Sequence, residues 1–492
     1  MSVKALEEAV EIAGGQSALG RMIDKDQGTI WAWLNTTKKV PGEDVLKIEE
    51  VLDKRVTRHD LRPDLYPVAP KLAQLHVVGG NQLNGEIRIS GAKNAALKHM
   101  CAALLTAGSL HLQNCPNQLR DIDAQVVLLE HLGCTVVREN DLMAINAGGD
   151  MGTIAPYDLV RKMRGSILVL GPLLARFGVA KVSLPGGCAI GTRPIDMHLD
   201  GLREMGAEIV LEGGYIEAKA PQGGLRGAKI LFPKVSVGAT ENLMMAATLA
   251  RGTTVLANAA CEPEIADLGE CLIKMGAKIS GLGTPSITIE GVEKLGGATH
   301  FVIPDRIETG TYMIAVAMTG GEITLKNARR RDLLPLIAML EKAGVEITKD
   351  GDDLTVTRDI NKPLVGTDIM TEPHPGFPTD LQAQFMALLT MCDGAGMVTE
   401  TIFENRFMHV PELARMGADI TVQGNSAIVR GVDGLKGAEV MATDLRASVA
   451  LVLAALVAEG KTVINRIYHL ERGYEDIAGK LGACGADIRK IV

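Results

Sequence analysis

The stretch DGLREMGAEI, residues 200–209, decides the fold. It reads as the amphipathic end of a helix, a glycine where the helix stops, and the opening of a short strand. The pattern returns as LGCTV, MGAKI, AGVEI, MGADI and CGADI, so that glycines fall at 133, 206, 276, 344, 417 and 485, at intervals of 73, 70, 68, 73 and 68 residues. A period of this length marks a repeated structural unit. Upstream of each glycine another strand runs into another helix, as in GEIRISGAKNAALKHMCAALL and AEVMATDLRASVALVLAAL. Six units of strand, helix, strand, helix, strand, in two sets of three, predict an α/β protein with two similar lobes.

Composition limits what such a protein does. With 492 residues, 47% of them hydrophobic and 22% charged, the chain is sized for two or three domains with their own cores. The opening MSVKALEEAVEI lacks the basic start and apolar stretch of a signal peptide, and the longest apolar run, ASVALVLAALVA at 447–458, is too short for a membrane span. A cytoplasmic protein without membrane contact is expected. Eight cysteines without a CxxC pair argue against a disulfide framework and a zinc site. A net charge of -8 argues against a chain that coats nucleic acid, though not against one small domain that binds it.

A boundary falls near residue 67, since both tryptophans, Trp31 and Trp33, precede it. Helices are expected over 4–13, 15–23, 27–35 and 42–52, with Asp24-Lys25-Asp26 as the turn of a helix-turn-helix and Asp26 as the cap of the third helix. RVTRHDLRPDLYPVAP then reads as a proline-punctuated linker. This segment resembles the Cro-like helix-turn-helix modules of prophage repressors and antitoxins. DNA contact through residues 1–67 would bring Gln27, Thr29 and Trp31 to base edges and Arg21, Lys38 and Lys39 to phosphates. Ten Lys and Arg against 12 Asp and Glu, a net of -2, count against that. The other reading is a fused helical module for oligomerisation, or one retained without function.

The polar residues of the repeats keep register. Lys93, Arg164, Asp380 and Arg446 lie 40, 42, 37 and 39 residues before their glycines, at strand-to-helix junctions. A second register, 13 residues before the glycine, holds Arg120, Arg193, Arg331 and Arg472, with Arg406 two residues off it. Single arginines are usually solvated, and a cluster such as Arg329–Arg331 reads first as a wet face. Cations recurring at helix N-termini nevertheless describe a site for a polyanionic ligand, which arginine's planar fork suits. There is no P-loop and no G-x-G-x-x-G turn.

LPGGCAIGTRP, residues 184–194, places Cys188 among Gly186, Gly187 and Gly191, with Arg193 close by. It reads either as a surface turn with an incidental thiol or as a mobile active-site loop whose thiol an arginine activates.

From about residue 72 onward the chain resembles the UDP-N-acetylglucosamine enolpyruvyl transferases, the 1-carboxyvinyltransferases that begin peptidoglycan synthesis. The resemblance rests on SGAKNAAL, LPGGCAIGTRPIDMH, KVSVGATENLM, PDRIETGT, FPTDLQAQF, FENRFMHVPEL, ATDLRAS and HLERGYE, in that order. It implies a two-lobed inside-out α/β barrel of six repeats, preceded here by the small all-α domain. The expected division is 1–67, then 93–302 as the lobe with the Cys188 loop, then 68–92 plus 303–492 as the second lobe. It implies transfer of the enolpyruvyl group of phosphoenolpyruvate to the 3'-hydroxyl of UDP-N-acetylglucosamine, with release of phosphate and no required metal or cofactor.

Residue by residue, the resemblance implies that Lys93 and Asn94 contact phosphoenolpyruvate and the sugar. Arg193 and Arg472 belong with its phosphate and carboxylate, and Arg406 and Arg446 with the carboxylate side. Arg164, the segment Arg193, Pro194, Ile195, Asp196 and Met197, the segment Lys234, Val235, Ser236 and Val237, and Asp380 and Ile402 line the UDP-sugar site. Cys188 falls on the reactive cysteine, general acid at the methylene carbon and target of fosfomycin, and Asp380 becomes the base for the hydroxyl. Read without the family, Thr379 and Gln382 form a capping box that makes Asp380 only a favourable first-turn carboxylate. Two departures stand out, Lys98 where the family often has proline and Cys261 where it often has arginine. Competing readings are a related enolpyruvylshikimate phosphate synthase, and a transcriptional regulator whose enzyme-like body senses a cell-wall precursor.

Overall fold

The computed structural model describes residues 2–62, 65–66, 73–185, 191 and 194–491. They fall into two units, Met1–Leu72 and Ala73–Val492.

In the first unit the apolar spacing produces helices Ser2–Ala13, Gln16–Met22, Gln27–Asn35 and Gly42–Val51. Asp26 caps the third, its Oδ1 accepting from the Thr29 N–H at 2.6 Å. Leu6, Leu19, Ile30, Trp33 and Ile48 meet in a small core. The expected linker is not purely a linker, because its first part forms a further helical turn, Arg58–Leu61. Thr57 and Asp60 make a reciprocal capping box, Arg58 Nε donates to Glu49 Oε2 at 2.7 Å, and Leu61 is fully buried in the module core. Threonine followed by aspartate three residues on was the overlooked signal.

The second unit contains, among its described residues, six four-stranded sheets. In one of them Lys229–Leu231 runs parallel to Thr253–Ala257, which pairs antiparallel with Ser286–Glu290, which pairs antiparallel with Lys278–Ser280. Each unit therefore has four strands where three were expected. The fourth arises because the segment after each repeat glycine folds back as a hairpin. Glu208–Glu212 and Tyr215–Lys219, joined by Gly213 and Gly214 at positive φ, show the turn chemistry that marks it. The six repeat glycines end their helices at φ between 93° (Gly206) and 107° (Gly276), the left-handed conformation their position requires.

The repeats are not laid out simply in chain order. Leu83–Arg88 pairs with Gly321–Lys326, whereas Ala298–Phe301 pairs with Ser109–Gln113. The chain thus crosses between two hydrophobic cores twice, and Gly91 bridges Pro304 where the crossings meet. A Cβ on Gly91 would lie 1.7 Å from the Asn114 carbonyl oxygen, so only glycine fits there. One core gathers side chains from Ala92 to Ile303; the other takes Leu75–Ile89 together with Ile307–Ile488. Gln74–Val78 completes the last sheet, antiparallel to both Lys461–Asn465 and Asp487–Ile491.

Helices fill the centre of each lobe and sheets surround them. Every residue from Ile307 to Thr319 and from Arg446 to Leu456 is buried, as for helices apolar on all sides. The architecture is the two-lobed inside-out α/β barrel, with the inner helices Lys93–Ala102 and Leu445–Val457 beginning on or beside a cation. No described helix is long and apolar enough to cross a membrane.

Candidate active site

The first register delivers its residues to inner-helix starts. Lys93 opens Lys93–Ala102, Arg164 opens the 3-10 segment Arg164–Val169, Asp380 lies in the 3-10 turn Thr379–Leu381, and Arg446 is the second residue of Leu445–Val457. Asp380 sits between two arginines. Its Oδ1 accepts from Arg406 Nη2 at 2.7 Å and its Oδ2 from Arg446 Nη2 at 2.8 Å. Both guanidinium groups are almost fully buried. Burial pushes the Asp380 carboxyl upward, but Arg446 and Arg406 outweigh it and hold the group well below the usual carboxylate range. Burial likewise pulls Arg446 down, and Asp380 more than reverses it.

The capping box does not form. Thr379 Oγ1 donates to Glu400 Oε2 at 2.8 Å instead, and no side chain caps the helix that starts at Gln382. A buried carboxylate is the stronger attraction for that hydroxyl. Asp380 is therefore an ion-paired group and not a helix-start ornament.

Lys93 is buried. Its Nζ donates to Asp121 Oδ2 at 3.1 Å, and Arg472 Nε donates to Asp121 Oδ1 at 2.8 Å. Asp121 thus joins a lysine of one lobe to an arginine of the other. Burial lowers the Lys93 ammonium, which also feels Asp121, Arg446, Arg472 and Asp380, so these charges share one neighbourhood. The Asp121 carboxyl is raised by burial and lowered further by Lys93 and Arg472, with a net lowering. Asp305 accepts from the backbone N–H of Lys93 at 3.1 Å while capping the helix Arg306–Thr319, which fixes where Lys93 enters.

Not every repeat position contributes. Arg120 is exposed and pairs with Glu471 at 2.6 Å, and Arg331 is exposed beside Asp332 at 3.6 Å, so neither joins the cluster. Arg472 ends the 3-10 segment Ile467–Arg472 and does not stand at a helix N-terminus. Cys188 and Arg193 lie outside the described residues. Among the remaining candidates Asn94, Arg164, Met197, Val235, Ser236, Val237 and Ile402 are half-buried, Ile195 is buried, and Pro194, Asp196 and Lys234 are exposed. Ser236 caps the helix Val237–Ala247, accepting from the Ala239 N–H at 3.3 Å.

Sequence reasoning overlooked Asp121, Asp305, Arg306 and Tyr474. Arg306 is held by Glu264 at 3.0 Å. The Tyr474 hydroxyl accepts from Arg446 Nη1 at 3.2 Å and meets Thr311 Oγ1 at 2.9 Å. Arg306 stands in PDRIETGT and Tyr474 in HLERGYE, so position within a recognised motif was the available signal. The two departures lie elsewhere. Lys98 pairs with buried Glu241 at 3.4 Å, and burial pushes that carboxyl to about 7, while Cys261 is half-buried.

One described trio has ligand spacing for a metal ion, His99, Asp267 and His300, all buried. Lys274 Nζ lies 3.2 Å from His300 Nδ1, and His300 Nε2 lies 3.0 Å from Asp267 Oδ1. An ammonium only donates, so Nδ1 accepts and Nε2 carries the proton to the carboxylate. His300 has both ring nitrogens engaged without an ion, His99 lies with Nε2 3.3 Å from Asp267 Oδ2, and Lys274 opposes a cation beside the trio.

Residues 77–481 match the EPSP synthase (3-phosphoshikimate 1-carboxyvinyltransferase) family, and residues 6–70 match the bacterial toxin YdaS family. The UDP-N-acetylglucosamine 1-carboxyvinyltransferase of Granulibacter bethesdensis is 61% identical over 85% of this chain and 99% of its own. That of Zymomonas mobilis is 55% identical over 85% and 99%. Among solved structures, the enolpyruvyl transferase NikO from Streptomyces tendae superposes with a TM-score of 0.74 at 25% identity, covering 86% of this chain and 99% of that one. EPSP synthase from Acinetobacter baumannii superposes with a TM-score of 0.67 at 18% identity over 85% and 100%, a likeness of fold. Identity this high across nearly the whole length of both relatives, over a site that gathers its cations from both lobes, places the chain in the UDP-N-acetylglucosamine 1-carboxyvinyltransferase family of enzymes.

Proposed function

We propose that the chain transfers the enolpyruvyl group of phosphoenolpyruvate to the 3'-hydroxyl of UDP-N-acetylglucosamine, releasing phosphate, in the first committed step of peptidoglycan synthesis. The observation that carries this reading is the gathering of Lys93, Arg406, Arg446 and Arg472, whose side chains are bonded by the carboxylates of Asp121 and Asp380. Phosphoenolpyruvate carries close to three negative charges, and a cage with excess positive charge is what a neutral hydroxyl needs before it attacks C2.

In this reading Asp380 is the base for that hydroxyl. While both arginines hold it, its carboxylate is a poor proton acceptor. An entering carboxylate or phosphate competes for Arg406 and Arg446 and frees Asp380 as the donor arrives, which couples base strength to occupancy. Attack at C2 requires a proton at C3, and expulsion of phosphate returns one, so Cys188 serves as the proton-exchanging group there and as the site of fosfomycin attack. Arg164, Arg193–Met197, Lys234–Val237 and Ile402 line the UDP-sugar site, and the lobes 93–302 and 68–92 plus 303–492 close over it. A cytoplasmic setting suits these substrates.

A second role for the N-terminal unit is DNA binding, favoured by its YdaS match and by the exposed Trp31 on the third helix. Phosphate release from the full chain tests the main reading, beside a DNA-shift titration. Release that needs both phosphoenolpyruvate and UDP-N-acetylglucosamine is expected. Release with shikimate 3-phosphate in place of the sugar nucleotide would move the enzyme to the related synthase, and a DNA shift without phosphate release would make it a regulator.

A further inference from the structure

Glu400 follows the strand Ala395–Thr399 and is 2% exposed. Its Oε1 accepts from Thr371 Oγ1 at 2.9 Å, from the Ile402 N–H at 2.8 Å and from the Phe403 N–H at 3.1 Å. Its Oε2 accepts from Thr379 Oγ1 at 2.8 Å. Four donors, none of them a cation, satisfy this buried carboxylate among the described residues.

The fourth donor gives the arrangement a direction. A threonine hydroxyl has one proton, and an ionised carboxylate only accepts, so Thr379 points its proton at Glu400. Its lone pairs are then turned to Arg406, whose Nη1 donates to Thr379 Oγ1 at 2.7 Å while Nη2 donates to Asp380 Oδ1. The same carboxylate grips the backbone of Ile402 and Phe403 on the segment leading to Arg406. We propose that Glu400 is a positioning residue that holds the sugar-nucleotide wall at Ile402 and the aim of Arg406 in one setting, with Thr379 as the relay. The inference rests on the proposed reaction, since it assigns Ile402 and Arg406 to the two substrates.

The test compares Glu400→Gln, Thr379→Val, Thr379→Ser and the Glu400→Gln/Thr379→Val double variant in the full chain, by kcat, both KM values and melting temperature. Glu400→Gln keeps size but turns an N–H₂ toward Thr379, which reverses the relay, and leaves a neutral amide oxygen, a weaker acceptor than a carboxylate, to hold the Ile402 and Phe403 N–H groups. It should lower kcat/KM for phosphoenolpyruvate and raise KM for UDP-N-acetylglucosamine, each by about tenfold. Thr379→Val should reproduce the first effect and leave KM for the sugar nucleotide within about twofold, because the Ile402 and Phe403 contacts survive. Thr379→Ser should restore activity, and the double variant should be no worse than Glu400→Gln.

Equal kinetics in the Val and Ser variants, additive losses in the double variant, or changes confined to melting temperature would overturn the proposal. The Val and Ser comparison decides it even where Glu400→Gln does not fold. A parent enzyme that releases no phosphate would instead overturn the proposed reaction. Calorimetric binding of UDP-N-acetylglucosamine to the same variants would then judge Glu400, with unchanged affinity in Glu400→Gln counting against it.

Discussion

The two lobes are built from the same repeat, three times each, yet they hold their charges in different ways. In the second lobe Asp380, Arg406, Arg446, Tyr474, Thr311 and Thr379 bond to one another, so this cluster finds its partners within its own lobe, whereas Arg306 reaches Glu264 of the first. In the first, Lys93 leans on Asp121, whose other oxygen is taken by Arg472 of the second lobe. In the proposed reaction the second lobe is the receptor for an anion, its arginines already aimed by Asp380, Thr379 and Tyr474. In that proposed reaction the first becomes one through Arg472, so that closing the lobes and completing the cage are a single event.

The largest effects should come from breaking this contrast at its charged centres. Arg446→Ala and Lys93→Ala should each lower kcat by at least about a hundredfold, since each removes charge stabilisation from a closed site. Asp121→Asn should cost less, about tenfold, because it loosens Lys93 and Arg472 without removing either. Steady-state phosphate release checks all three. A larger loss in Asp121→Asn than in Arg446→Ala would reverse the ranking and make the interlobe clasp, not the second-lobe receptor, the limiting element.

How much of this was legible in sequence depends on distance along the chain. The repeat glycines and the inner-helix cations are periodic, and a period shows in one sequence; all six glycines take the left-handed conformation their place in the pattern demands. Asp121 could not be found that way, because its meaning lies in Arg472, 351 residues away. The exchange of strands at Leu83–Arg88 and Ala298–Phe301 is equally non-local. Other misses were local and avoidable. Gly213-Gly214 announced a hairpin, and Thr57 with Asp60 announced a helical turn inside the supposed linker. The capping box at Thr379 failed for a reason outside its own segment, since Glu400 takes the hydroxyl that was to cap the helix.

A middle-sized effect concerns the thiols, and it sharpens the same contrast by asking what the first lobe adds. Burial pushes Cys115, Cys134, Cys271 and Cys392 to about 12 and Cys101 higher still, and it raises Cys261 and Cys484 as well. Seven thiols are thereby quietened, which leaves Cys188 as the expected target. Fosfomycin should inactivate with one equivalent bound, faster when UDP-N-acetylglucosamine is present. Cys188→Asp should keep activity and resist the drug, because a carboxyl can also exchange a proton with C3, and Cys188→Ser should do worse. Mass spectrometry locating the adduct on any other cysteine, or equal activity in the two variants, would defeat the role.

The smallest effect should follow removal of the N-terminal unit, provided the cut respects the sheets. The body Ala73–Val492 holds both of its hydrophobic cores, and the helical unit has a core of its own around Leu19, Ile30 and Ile48. A chain beginning at Ala73 keeps Gln74–Val78, which lies between Lys461–Asn465 and Asp487–Ile491 and bonds to both. Its kcat should stay within about twofold of the full chain, as for a domain that carries its own core. A chain beginning at Leu83 removes the central strand of that sheet and strips two neighbours of their backbone partners, along with buried Leu75 and Val77. Its melting temperature should fall sharply, with aggregation of the exposed edges. Thermal unfolding and phosphate release on the two truncated chains separate the cases. Activity lost already at Ala73 would show that the helical unit supports the enzyme, and a Leu83 chain as stable as the Ala73 chain would show that the last sheet does not need the strand that closes it.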